Sequence, residues 1–152
     1  MKGLEEFLAS VRARYSVDDE SLLKVNIKRF VVGEKLRGLI FNKLNLVYAG
    51  KYLGKMKKKF LPSSILLDEL NDQEVLNRIH TDRETAWLFV CGRDIFEDKI
   101  QRLEGEFGEG NVFLVMHEGH CLGYGRVEPF EGRMILRNVF DIGDFLRREK
   151  QR

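Results

Sequence analysis

The chain has 152 residues, 43% hydrophobic and 11% aromatic, enough to bury one ordinary core or two compact ones. With two prolines, no Ser/Gly-rich tract and no apolar run near the roughly 20 residues that span a bilayer, the composition argues against a disordered chain or a membrane-spanning helix. The formal net charge is only +2, yet eleven of the 26 Lys and Arg fall between Lys24 and Lys59, where Glu34 is the single acidic residue. Such a cationic field concentrates and steers a polyanion, so RNA is the expected partner, ahead of a membrane surface or an acidic protein.

Leu4, Phe7, Leu8, Val11 and Tyr15 fall on one stripe and predict an amphipathic helix with Glu5, Glu6 and Arg12 in water. The acidic pair lies where a signal peptide would turn apolar, so a soluble, intracellular chain is expected: cytoplasmic, or nucleolar in a eukaryote. Strict alternation in Leu23-Lys24-Val25-Asn26-Ile27-Lys28 predicts a half-buried strand with Lys24, Asn26 and Lys28 on its solvent face. A helix is expected from Glu34 to Phe41 on Leu36, Leu39 and Ile40, then a strand over Leu44 to Tyr48. Lys51, Lys55, Lys57, Lys58 and Lys59 crowd a segment with glycines at 50 and 54, the makings of a turn or hairpin whose backbone approaches a phosphate closely. Pro62 with Ser63 or Ser64 opens a short helix carrying Ile65, Leu66, Leu67 and Leu70.

From Asn71 to Thr85 the local charge turns acidic, and a domain boundary is placed near Asp72, dividing the chain into 1–71 and 72–152. The short apolar run Trp87-Leu88-Phe89-Val90-Cys91 predicts a buried strand. Asp94 is expected to cap a helix that turns Ile95, Phe96, Ile100 and Leu103 inward and ends at the loop Gly105 to Gly110. Strands follow at Val112 to Met116, Cys121 to Val127 and Met134 to Val139, and an Asp141-capped helix carries Ile142, Phe145 and Leu146. The fold class is α+β: a small α/β N-terminal domain followed by a small β-barrel with two helices.

Catalytic chemistry finds little support. His117-Glu118-Gly119-His120 lacks the helical H-E-x-x-H spacing, and Glu118-Gly119 suits a two-residue hairpin turn, so no metal site is expected. Cys91 and Cys121 are expected to be inert buried thiols. Gly123-Tyr124-Gly125 is followed by no helix, which argues for a strand bulge or close packing rather than a dinucleotide site. No cofactor is implied and no enzyme is expected.

The order Leu122-Gly123-Tyr124-Gly125, an apolar strand, then Asp141-Ile142-Gly143-Asp144-Phe145-Leu146-Arg147 resembles the end of a PUA domain. Phe89-Val90-Cys91-Gly92, with Gly50-x-x-x-Gly54-Lys55 running into Phe60 and Leu66-Leu67-Asp68-Glu69-Leu70, is similar to the Nip-seven family of large-subunit ribosome-biogenesis proteins, in a shorter, archaeal-like form. The likeness covers about Phe30 to Glu149. It implies a non-catalytic RNA-binding factor in pre-rRNA processing, with a C-terminal PUA domain and ribosome-assembly proteins as further partners. RNA contacts are then expected from Arg147, within the matched motif, and by charge and position from Arg93, Arg102, Arg126, Arg137, Arg148 and Lys150, joined by the Lys51 to Lys59 lysines, with Tyr52 or Tyr124 as stacking groups and a core role equally open for Tyr124. Two other functions compete: an RNA-modifying enzyme or its specificity module, and a protein-binding scaffold in ribosome assembly.

Overall fold

The computed structural model describes residues 2–40, 45–144 and 147. Helix α1 (Lys2–Ser10) buries Leu4, Phe7 and Leu8. It stops short of Tyr15 because Arg12 turns left-handed at φ 59°, letting the Arg12 and Ala13 amides donate back to the Ala9 and Leu8 carbonyls. That double bond is a helix stop usually built on glycine, which is why the stripe ran on in the sequence without a visible break. Val11, just past the helix, remains fully buried.

The strand expected over Leu23 to Lys28 is instead a hairpin. Strands β1 (Leu22–Val25) and β2 (Lys28–Val31) pair antiparallel, with Val25 opposite Lys28 and the turn made by Asn26, at φ 52°, and Ile27. Asn is among the few residues that enter the left-handed region at little cost. Helix α2 (Glu34–Ile40) follows as expected. No strand forms in the described part of Leu44 to Tyr48: Asn45 sits at φ 85°, and Val47 and Tyr48 are largely exposed. The lysine-rich segment is the predicted hairpin, β3 (Lys51–Met56) and β4 (Phe60–Pro62), with Lys57, Lys58 and Lys59 forming its loop. Gly54 serves the hairpin itself, since a Cβ there would stand 2.3 Å from the Leu61 carbonyl oxygen. Strands β1 to β4 make one four-stranded sheet in sequence order. Helix α3 (Ser64–Asn71) starts at Ser63, whose hydroxyl accepts from the Leu66 amide and donates to the Tyr52 carbonyl at 2.6 Å.

Beyond Asp72 the structure adds one strand and corrects two expectations. The acidic stretch contains a strand, β5 (Arg78–Thr81). The run Trp87 to Cys91 is not a strand but the end of helix α4 (Arg83–Val90), capped by Asp82, which accepts from the Thr85 amide at 2.7 Å. Thr85, Ala86 and Phe89 are buried, while Trp87 and Leu88 face out. The helix expected after Asp94 is replaced by β6 (Ile95–Phe96), a single 3-10 turn at Glu97–Lys99, and β7 (Ile100–Glu104).

Strands β8 (Val112–His117), β9 (His120–Phe130) and β10 (Arg133–Asp141) fall where the sequence placed them. Glu118 and Gly119, at φ 47° and 79°, form the two-residue turn between β8 and β9. The second sheet has the order β6-β10-β9-β8-β5-β7, with β5 and β8 parallel, and curls into a half-barrel. After β10, Asp141 accepts from the Gly143 amide and helical residues appear at Asp144 and Arg147; Phe145 and Leu146 lie outside the described residues. The described residues thus form a mixed α+β fold of four α-helices and two sheets.

Strand β8 joins two cores. Its Phe113 and Val115 point into the half-barrel with Phe89, Ile79 and Leu136, while Val112, Leu114 and Met116 point the other way, onto a core shared with α1, β3 and α3. Alternation on a strand buried on both faces produces this division. At the same seam the Asn77 amide group donates to the Ser10 and Val112 carbonyls, both at 3.2 Å.

Candidate nucleic-acid interface

The β3–β4 hairpin leans over the seam between the two sheets and borders two clefts. One, of about 470 Å³, is lined by Tyr52, Lys55 and Lys57 from the hairpin, Ser63 and Ser64 from the start of α3, and Asn138 and Arg147 from the C-terminal half. The other, about 260 Å³, is lined by Lys59 and Arg126 together with α1. Both are bordered by Leu61 and Val139, so the two clefts adjoin along the hairpin as a two-part groove.

Fold geometry explains the cations here. Leu53 on β3 is fully buried while Tyr52 and Lys55 line the cleft, and the three-residue loop leaves Lys57, Lys58 and Lys59 exposed. None of these three side chains has a partner among the described residues. Arg126 is half-buried on β9, opposite Arg137 of β10.

Arg147 enters the groove differently. Its guanidinium meets both oxygens of Asp141, at 2.9 and 2.8 Å, and donates to the Val90 carbonyl. Asp141 is 1% exposed and also accepts from Gly143 and Asn138, so this arginine clamps the chain end to α4 and its charge is offset. Hydrogen bonding to Asp141 tightens its hold on the proton. Lys51 is turned to the outer side, 2.8 Å from Glu69 and 5.5 Å above the Tyr15 ring, and that lysine holds the Glu69 carboxyl below its ordinary value.

The remaining candidates lie elsewhere. Arg102, on β7, lies 2.8 Å from His80 and 3.8 Å from Glu104. Arg93 and Arg137 border a separate cavity beside α4, where Arg137 is paired with Asp94 at 2.6 Å and Glu128 at 3.2 Å. Arg148 and Lys150 lie outside the described residues. The sequence missed Asn138 and Ser64 as polar walls of the groove, since they come from elements far apart in the chain and carry no shared motif.

Of the two stacking candidates, Tyr52 lines the groove, its ring supported by Phe30 at 5.3 Å. For Tyr124 the structure takes the core alternative: it is 4% exposed, edge-on to Phe7 at 5.3 Å, and burial pushes its hydroxyl pKa up. Cys121 is buried, but Cys91 is exposed at the end of α4, against expectation. No cluster of three or more metal-ligating side chains occurs among the described residues, and no helix among them is long and apolar enough to cross a membrane.

A curled half-barrel crossed by a capped helix, with an adjoining lysine groove, suits a nucleic-acid-binding module. The family model described as the UPF0113 PUA domain matches residues 77–150, which makes the half-barrel a PUA domain, an RNA-binding module. A UPF0113 protein of Archaeoglobus fulgidus is 31% identical over 142 residues, covering 85% of this chain and 79% of the relative. The chain belongs to the UPF0113 family.

Proposed function

We propose that this protein is a non-catalytic RNA-binding factor that acts in pre-rRNA processing and large ribosomal subunit biogenesis, with an N-terminal α/β domain over 1–71 and the PUA domain over 72–152 bound to one RNA. The observation that carries this reading is the groove at the seam. Exposed Lys57 and Lys59 from one half, without partners among the described residues, and Arg126 from the other border these adjoining clefts, so a polyanion lying along them touches both halves. Of the carboxylates that line the clefts, Glu6, Asp141 and Asp144, the buried Asp141 is already occupied by four donors, which suits a docking surface better than a poised acid or base. The role in ribosome assembly rests on the resemblance of the Gly50 to Leu70 and Phe89 to Gly92 segments to Nip-seven proteins.

The test is the salt dependence of affinity for single-stranded and precursor ribosomal RNA. With three or four phosphates neutralised, log affinity falls against log salt with a slope of about −2 to −3. Replacing Lys57, Lys59 and Arg126 by Gln flattens that slope while leaving the melting temperature in place. A slope near zero in the wild type would overturn the groove. The protein is also expected to sediment with large-subunit precursors and to leave them on complete RNA digestion; retention after digestion would favour a protein scaffold.

A further inference from the structure

A separate cavity of about 410 Å³ opens where α4 approaches β6 and β10. Its floor is Ile95 and Ile135, both 1% exposed, and its walls include Leu88, Phe96 and Phe130. The two rings meet edge to face, 6.3 Å apart at 66°, and form one aromatic wall of the cavity. Arginines lie over them: Arg133 is 5.2 Å from the Phe96 centroid, and Arg137, which also lines the cavity, is 5.8 Å from that of Phe130. Arg137 is itself fixed, its Nη1 on Asp94 and its Nε on Glu128, which leaves Nη2 without a partner among the described residues.

The rim decides the ligand. Arg93, Lys99 and Arg137 are balanced by Asp82, Glu84 and Asp94, so the cavity holds no net positive charge for a phosphate. An apolar slot edged by fixed donors and acceptors instead suits a flat heteroaromatic ring that carries both. The volume lies near the small end of ligand pockets, about 300–1,000 Å³, which fits one base and excludes a duplex. Connectivity points to its source. Gly92 and Asn138 border the basic groove while their neighbours Arg93 and Arg137 border this cavity, so a strand leaving the groove over the Gly92–Arg93 turn arrives at its mouth.

We propose that the Phe96–Phe130 pocket takes a single unstacked nucleobase of the RNA that crosses the groove, adding base contact to a surface otherwise built for phosphates. The inference rests on the RNA-binding reading above, and the experiment separates the two. Adenosine, uridine and a ten-nucleotide single-stranded RNA are titrated into the full chain and followed by residue-resolved NMR, alongside Phe130→Ala and the pocket-filling Leu88→Trp. Leu88 is 45% and Phe130 36% exposed, so both replacements leave the core intact.

Either nucleoside is expected to shift the signals of Leu88, Phe96 and Phe130, and both variants to abolish those shifts. Each variant weakens the oligonucleotide about tenfold with an unchanged salt slope, because base–aromatic stacking is uncharged. In Lys57→Gln with Lys59→Gln the slope flattens while the nucleoside shifts persist. If the oligonucleotide binds with the expected salt slope yet both variants match the wild type, the pocket falls and the groove stands. If no RNA binds the wild type, the RNA reading falls and this inference goes with it, whatever the nucleosides do.

Discussion

Gly123 pairs with Asp141 of β10, just past the register shift between Asn138 and Phe140. A Cβ at this position would lie 2.0 Å from the Phe140 carbonyl oxygen and 2.8 Å from the Asp141 Cα, at a φ of 145°. Neither backbone atom can yield without opening the ladder that carries Asp141, so Gly123→Ala is expected to cost about 2–4 kcal/mol in urea unfolding. The Gly-Tyr-Gly pattern announced this crowding, because glycine inside a strand signals a bulge or close approach. The thiols contrast in a way the sequence did not announce. Burial pushes the Cys121 thiol up to about 11, whereas Cys91 is exposed beyond the last turn of α4. Iodoacetamide at pH 8 should therefore label one thiol per native chain and two per denatured chain, and Cys91→Ser should abolish the native reaction.

Among the elements, those written in local chemistry were legible and those decided by pairing were not. Ser63 three residues before Leu66 and the lysine loop between two short apolar runs gave α3 and the β3–β4 hairpin directly. Trp87 to Cys91 failed because five consecutive apolar residues fit a buried strand and a helix end equally well, and Asp82, the cap that settles the matter, lies outside the run. Ile95, Phe96, Ile100 and Leu103 failed for another reason: their strands exist through pairing with β10 and β5, which no local spacing records. The β5–β7 pair also carries a pH signal. His80 bonds Glu104 at 2.6 Å and, as the largest cause, holds its carboxyl below the ordinary value. A depressed carboxyl stabilises the fold fully above the unfolded value and loses that contribution as pH falls through the folded one. Thermal stability should accordingly drop on acidification below about pH 4.5, the ordinary value for a glutamate. Glu104→Gln should lower stability at pH 7 and narrow its difference from the wild type at pH 3.

The candidate site is a property of the whole molecule. Segregated charge pointed to a polyanion, but sequence position could not tell that Lys51 is tied to Glu69, that Arg147 is spent on Asp141, or that Lys59 and Arg126 share a channel. These outcomes depend on the seam, where Leu4, Phe7, Leu53, Leu66 and Leu70 pack against Leu114, Met116 and Tyr124 in one core. A composition boundary near Asp72 therefore coincides with continuous packing, and the chain should unfold as one cooperative unit. Leu70, fully buried on α3 within that core, tests it. Leu70→Ala is expected to cost about 2–5 kcal/mol. In native-state hydrogen exchange the loss should appear equally in amides of β3 and of β9, although Leu70 belongs to neither strand. If the amides of β8 to β10 kept their wild-type protection while those of β1 to β4 lost theirs, the halves would be energetically separate. The groove between them would then be a joint free to open, no longer a channel fixed by the core.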